Sequence, residues 1–279
     1  MPFPVTRGIS LRPILYSQVP AWDAALSKLN SFIDADTSAA KLNPQNVKGI
    51  LSEKVVPFLR VRFPAQGQPT PFNNSPPPLA DLLSQWGLAT VALSKALPAH
   101  ELFPLVDFWR IGLLDVTVSS WVAAAEVSGT NDITGLLLNV AISALEIASP
   151  SSRNLILITL RLLANAFANT SLAPRLLDPT SQLSYSNRSP RQNITDFLVP
   201  TLLHTDPHVR TAAASLAFNI AAHYQQPLIE AQRNGKRGDS VADNQSEGQG
   251  DWEVEIVSAV LEALKREKQS EDVGKCAMT

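Results

Sequence analysis

Helical periodicity stopped again and again by proline is the feature that most limits what this chain can become. Apolar residues recur at three- and four-residue spacings through one segment after another, and no run shows the period-two alternation of a half-buried strand. Proline is common, at 21, and glycine scarce, at 12, a balance that suits many helices with sharply stopped ends. The pattern predicts an all-α chain with helices over 21–34, 46–62, 79–97, 100–114, 117–127, 132–148, 152–169, 194–204, 207–224 and 252–268.

A chain of 279 residues that is 45% hydrophobic can bury a large core, as one long domain or as a stack of small units. The helix starts favour the stack. "ASPSSRN" (148–154) and "HTDPHVR" (204–210) each offer a Ser or Asp N-cap just before a helix, and Pro207 fits the first helical position, where its missing N–H costs nothing. Laying "RLLANAF" (161–167) over "SLAFNIA" (215–221) superposes Asn165 on Asn219 at a separation of 54 residues. That exceeds the roughly 40–47 residues of an armadillo or HEAT repeat, and the polar insertion "DPTSQLSYSNRSPRQN" (178–193) accounts for the excess. A degenerate helical repeat is expected, with Leu216 and Phe218 both packed against neighbouring helices.

Two breaks divide the chain. "PAQGQPTPFNNSPPP" (64–78) holds six prolines and reads as an extended connection, and "NGKRGDSVADNQSEGQGD" (234–251) has almost no apolar residue and reads as a disordered loop. The expected organisation is an N-terminal extension with a helical pair at 1–63, its first 20 residues extended, a proline-rich linker at 64–78, a solenoid at 79–268 and a frayed tail at 269–279.

Asparagine is a poor helix former and costs free energy when buried without partners, so two of them in matching apolar helices need a reason. Asn154, Arg161, Asn165 and Asn169 follow at spacings of seven, four and four, one narrow polar stripe on an apolar helix. His208, Thr211, Ser215, Asn219 and His223 repeat the arrangement. A primary amide on such an edge can donate to a main-chain carbonyl and accept from a main-chain N–H of an extended peptide. Successive asparagines would then make a ladder for main chain, and arginines would fix charge. The alternative is that each asparagine caps a neighbouring loop or bonds an interior water. Between 151 and 210 there are six Arg or Lys and three Asp or Glu, an excess of three positive charges in a chain of net charge −2.

Other function classes find little support. The net charge and a pI near 6.1 give no case for nucleic acid or an anionic membrane. No apolar run reaches the roughly 18–20 residues of a membrane span, and the opening residues lack the apolar core of a signal peptide, so a soluble intracellular protein of the cytoplasm or nucleus is expected. The single cysteine, Cys276, cannot form a disulfide within the chain or a cysteine zinc site. His204 and His208 have a metal-like spacing, but Pro207 at a helix start places His204 off the helix face. No nucleophile elbow, P-loop, dinucleotide fingerprint or zinc-protease motif is present, so catalytic residues, metal and cofactor are all expected to be none. The five tryptophans read as core, with Trp86 and Trp109 open to an alternative reading as peptide anchors. "CAMT" at the end fits a prenylation outline only loosely and reads as ordinary tail.

"ELFPLVDFWRIGLLD" (101–115), "RNLILITLRLLANAFAN" (153–169) and "NITDFLVPTLLHTDPHVRTAAASLAFNIAAHY" (193–224) resemble the PUL domain, which closes phospholipase A2-activating protein and in fungal proteins follows thioredoxin or desumoylase-type modules. The resemblance covers about 79–268 and implies an armadillo-like α-solenoid. It further implies a basic groove for the C-terminal tail of the valosin-containing-protein type AAA ATPase, the ubiquitin segregase. Carried over by position, Asn165 and Asn219 are the groove asparagines, and Arg161, Arg110 and Arg210 supply charge; Ser215, one turn before Asn219 on the second stripe, joins them as a candidate peptide contact. Arg210 lies nine residues from Asn219, on the opposite side of an ideal helix. The resemblance also implies further helices after "EVEIVSAVLEALKRE", so either a truncated or alternatively spliced product or an artefact of the gene model at this end is expected. A general peptide-binding scaffold, or a recruiting fragment of a multidomain enzyme, are the alternatives.

Overall fold

Every helix expected from the sequence is present in the computed structural model, which describes residues 11–35, 43–64, 80–128, 132–147, 149–181, 185, 187–233 and 250–276. Nearly all of the proline-rich connection and of the polar loop after 233 fall outside those residues, although Gly250 and Asp251 open the last helix. The helices are α1 (Trp22–Ala35), α2 (Pro44–Gly49), α3 (Val56–Arg62), α4 (Ala80–Ala96), α5 (Phe103–Gly112), α6 (Val116–Ser128), α7 (Ile133–Glu146), α8 (Arg153–Ala166), α9 (Ala173–Leu176), α10 (Pro190–Leu202), α11 (Pro207–Arg233) and α12 (Gly250–Cys276). Among the described residues there is no strand, and the fold is all-α.

Two rows of helices pack on one another. In the inner row α5 packs against α8 and α8 against α11; in the outer row α4 packs against α7 and α7 against α10, and α12 closes onto α10 and α11. This is the layering of a helical-repeat solenoid. One cluster of buried apolar side chains runs from Trp22 to Ala259, so α1 to α3 share a core with the repeats that follow. A π-helical stretch, Ile50–Val55, joins α2 to α3, where Pro57 lacks the N–H that an unbroken α-helix would use.

Packing is densest where α4 meets α5. Trp86 and Trp109 stack with ring centroids 3.8 Å apart and planes 14° from parallel, both almost wholly enclosed. They are core residues, which removes the peptide-anchor reading. Gly112 makes the approach possible, because a Cβ there would lie 2.7 Å from Trp86 Cη2. Leu216 is fully enclosed, whereas Phe218 is only partly buried and lies outside the core cluster, contrary to the expectation that both pack inward.

The second repeat start is stabilised as its sequence suggests. Asp206 Oδ1 accepts from the N–H groups of His208 (2.8 Å) and Val209 (3.3 Å), and Oδ2 accepts from the Arg153 side chain at the start of α8. The hydrogen bond from Arg153, with those two amides and despite some desolvation, lowers its carboxyl from 3.8 to about 2. A carboxyl depressed on folding stabilises the fold above its unfolded value and loses that contribution as the pH falls from about 3.8 towards about 2. Asp206→Asn should therefore lower the thermal midpoint at neutral pH and make the acid-side fall shallower; parallel acid melting curves for the two proteins would contradict this.

Candidate functional site

Across the inner row lies an extended segment, residues 11–20, that precedes α1. Pro13 and Pro20 bracket it, and each biases its predecessor away from helix. Asn219 Oδ1 accepts from the Ile14 N–H (2.7 Å) and its Nδ2 donates to the Ile14 carbonyl (2.9 Å). Asn165 treats Tyr16 in the same way, accepting from the N–H at 2.7 Å and donating to the carbonyl at 3.0 Å. Each amide thus grips both main-chain groups of one residue, and the two residues gripped are two apart.

The second hydrogen of each amide is used as well. Asn165 Nδ2 donates to the Arg110 carbonyl of α5 at 2.8 Å, and Asn219 Nδ2 donates to the Ala164 carbonyl of α8 at 3.0 Å. Both bonds span 55 residues, so the 54-residue repeat extends back to Ile111, the position equivalent to the two asparagines. Two extended residues advance about 6.6–6.8 Å and packed helices stand about 8–10 Å apart, so one rung every second residue suits a strand crossing the row obliquely. Both asparagines are almost wholly buried, at 0% and 1% exposure, which fits their full set of partners.

Arg110 continues the series from α5. Its guanidinium donates to the Tyr16 carbonyl and, at 2.9 Å, to the Gln18 carbonyl, while Nε pairs with Asp107 at 2.6 Å. Ser215 fixes the side chain between the rungs: Tyr16 Oη donates to its Oγ at 2.9 Å, and Ser215 in turn donates to the Thr211 carbonyl at 3.0 Å. Arg161 stands one turn from Asn165 with its guanidinium 5.1 Å from the Tyr16 ring centroid. Its Nε is enclosed, and no hydrogen bond or ion pair engages the guanidinium among the described residues.

Five of the six residues proposed from sequence therefore meet on one segment: Arg110, Arg161, Asn165, Ser215 and Asn219. Arg210 does not join them. It pairs with Glu267 of α12 and donates to the carbonyls of His204 (2.9 Å) and Thr205 (2.8 Å), tying α11 to the loop before it. Asn169 also leaves the stripe, accepting from the N–H groups of Ser171 and Leu172 and donating to Ser119 Oγ at 2.8 Å, which stops the chain after α8. Sequence reasoning missed Ile14, Tyr16 and Gln18. The signal available was the pair of prolines, Pro13 and Pro20, around a short run too brief for a helix.

Among the described residues no group of three His, Cys, Asp or Glu side chains is placed to hold a metal, and His204 Nδ1 accepts from the Asp206 N–H at 2.9 Å. No described helix is long and apolar enough to cross a membrane. No curated protein and no solved structure is detectably similar to the chain. A family model does match, that of the PUL domain, over residues 10–278, nearly the whole length and including the segment gripped by the asparagines. On that match the chain belongs to the PUL domain family, a family of protein-interaction domains.

Proposed function

We propose that this chain binds the C-terminal tail of a valosin-containing-protein type AAA ATPase, on the inner row beside the segment held by Asn165 and Asn219. The coarser role, binding another protein, follows from the family, which is one of interaction domains and not of enzymes. The observation that carries the finer reading is Arg161, a guanidinium with no hydrogen-bond or ion-pair partner among the described residues, set against Tyr16 on the face built to hold extended chain. A half-buried guanidinium without an anion is a natural receptor for a carboxylate, and the tail of a protein always supplies one. Arg110 is less suited, since Asp107 and two carbonyls already engage it.

Titration calorimetry with a synthetic peptide of the ATPase's C-terminal residues tests the reading. Arg161→Ala should weaken binding by about tenfold and flatten its salt dependence, because a charge-assisted contact is lost. Wild-type protein that gives no heat with the peptide, or a variant that binds as wild type does, would contradict it.

A further inference from the structure

The groove-facing edge of the extended segment is taken: Ile14 and Tyr16 give both main-chain groups to the asparagines, and the Gln18 carbonyl goes to Arg110. In extended chain, successive residues point their N–H and C=O to opposite edges. Leu15 and Ser17 consequently aim theirs away from the asparagines, and neither makes a hydrogen bond among the described residues. Both are exposed, Leu15 by 42%. At Pro13 the same edge carries no N–H at all. What the inner row displays to a partner is one clean strand edge, with two donors and their carbonyls, held rigid by buried amides from behind.

We propose that this edge is the docking surface: an extended peptide pairs with the main chain of Leu15 and Ser17 as an added strand, its carboxylate on Arg161. This rests on the tail-binding reading above and says how the tail is held. An unpaired edge is a template for another extended chain, because main-chain groups recognise main-chain groups whatever the side chains. Arg161 reaches from α8 to 5.1 Å from the ring centroid of Tyr16, the residue between the two open amides, so a peptide paired along this edge brings its carboxylate past the Tyr16 side chain to meet it. The asparagines thereby act on the ligand at one remove: they present the strand that binds it and do not touch it.

The test uses the full chain and the same tail peptide, with hydrogen exchange and calorimetry together. Binding should slow exchange of the Leu15 and Ser17 amides and leave those of Ile14 and Tyr16 as protected as before. Ser17→Pro, which removes one outward donor and no bond present in the free protein, should weaken the peptide about fivefold with the thermal midpoint kept. Peptides N-methylated at alternate residues should lose affinity at one parity only, and amidating the C-terminus should weaken binding if the terminal carboxylate, rather than an acidic side chain, sits on Arg161. Equal affinity for Ser17→Pro and for both N-methyl series, in a wild-type chain that binds the peptide, would overturn the pairing while leaving the tail reading in place. Faster exchange at Ile14 and Tyr16 on binding would mean the peptide displaces the segment and would also overturn it. No binding to the wild-type chain would remove both.

Discussion

Replacing Trp109 by alanine should cost about 3–5 kcal/mol of stability, the usual toll for emptying a site that held a buried aromatic. The indole stacks on Trp86, donates from Nε1 to Thr90 Oγ1 at 2.8 Å and lies 1% exposed between α4 and α5. Thr90 keeps its own bond to the Trp86 carbonyl at 2.9 Å when the indole goes, so the loss is chiefly packing and the cavity left behind. Collapse of the site is hindered, because Gly112 offers no side chain to move into the space. Urea unfolding measures the effect; a midpoint unchanged by the substitution would mean that this tryptophan lies on the surface after all.

Asn165→Ala should destabilise the protein by about 2–3 kcal/mol although alanine is the better helix former. The change takes the amide partner from the part-buried Tyr16 N–H and from the buried Arg110 carbonyl, and leaves the Tyr16 carbonyl with the Arg110 guanidinium alone. The cost is capped, because the extended segment can peel away and return the Tyr16 groups to water. Peeling also frees Tyr16 from Ser215 and from Arg161, so the peptide edge goes with it and tail affinity falls alongside stability. Asn219→Ala should act likewise through Ile14, where the same bonds recur. Paired melting and calorimetry on either variant would show the two losses together; a variant that melts and binds as wild type does would contradict the account.

The helices were legible because long apolar periodicity survives most tertiary contexts. Asp206 and Pro207 mark the start of α11 in the sequence as they do in the structure. Two elements were less visible. The start of α10 lies at Pro190, inside a stretch read as polar insertion, although Ser189 accepts from the Gln192 N–H at 3.2 Å as a Ser-Pro start would suggest. The short α9 has too few residues to show any period. At the site, the spacing of Asn165 and Asn219 revealed amides that grip extended main chain on matching helices. It did not reveal which chain they grip. That depends on where residues 11–20 run, a contact made across 149 and 205 residues of sequence, and local pattern is blind to such separations. Burial of the two amides follows from the same contact: the main-chain ladder expected for a peptide is filled by the chain's own segment.

Amide hydrogen exchange on the unliganded chain, read residue by residue through 14–17, tests the central claim most directly. If buried asparagines hold the extended segment by alternate residues, Ile14 and Tyr16 exchange slowly while Leu15 and Ser17 exchange fast, and Asn165→Ala releases Tyr16. Fast exchange at all four amides in the wild-type protein would contradict it.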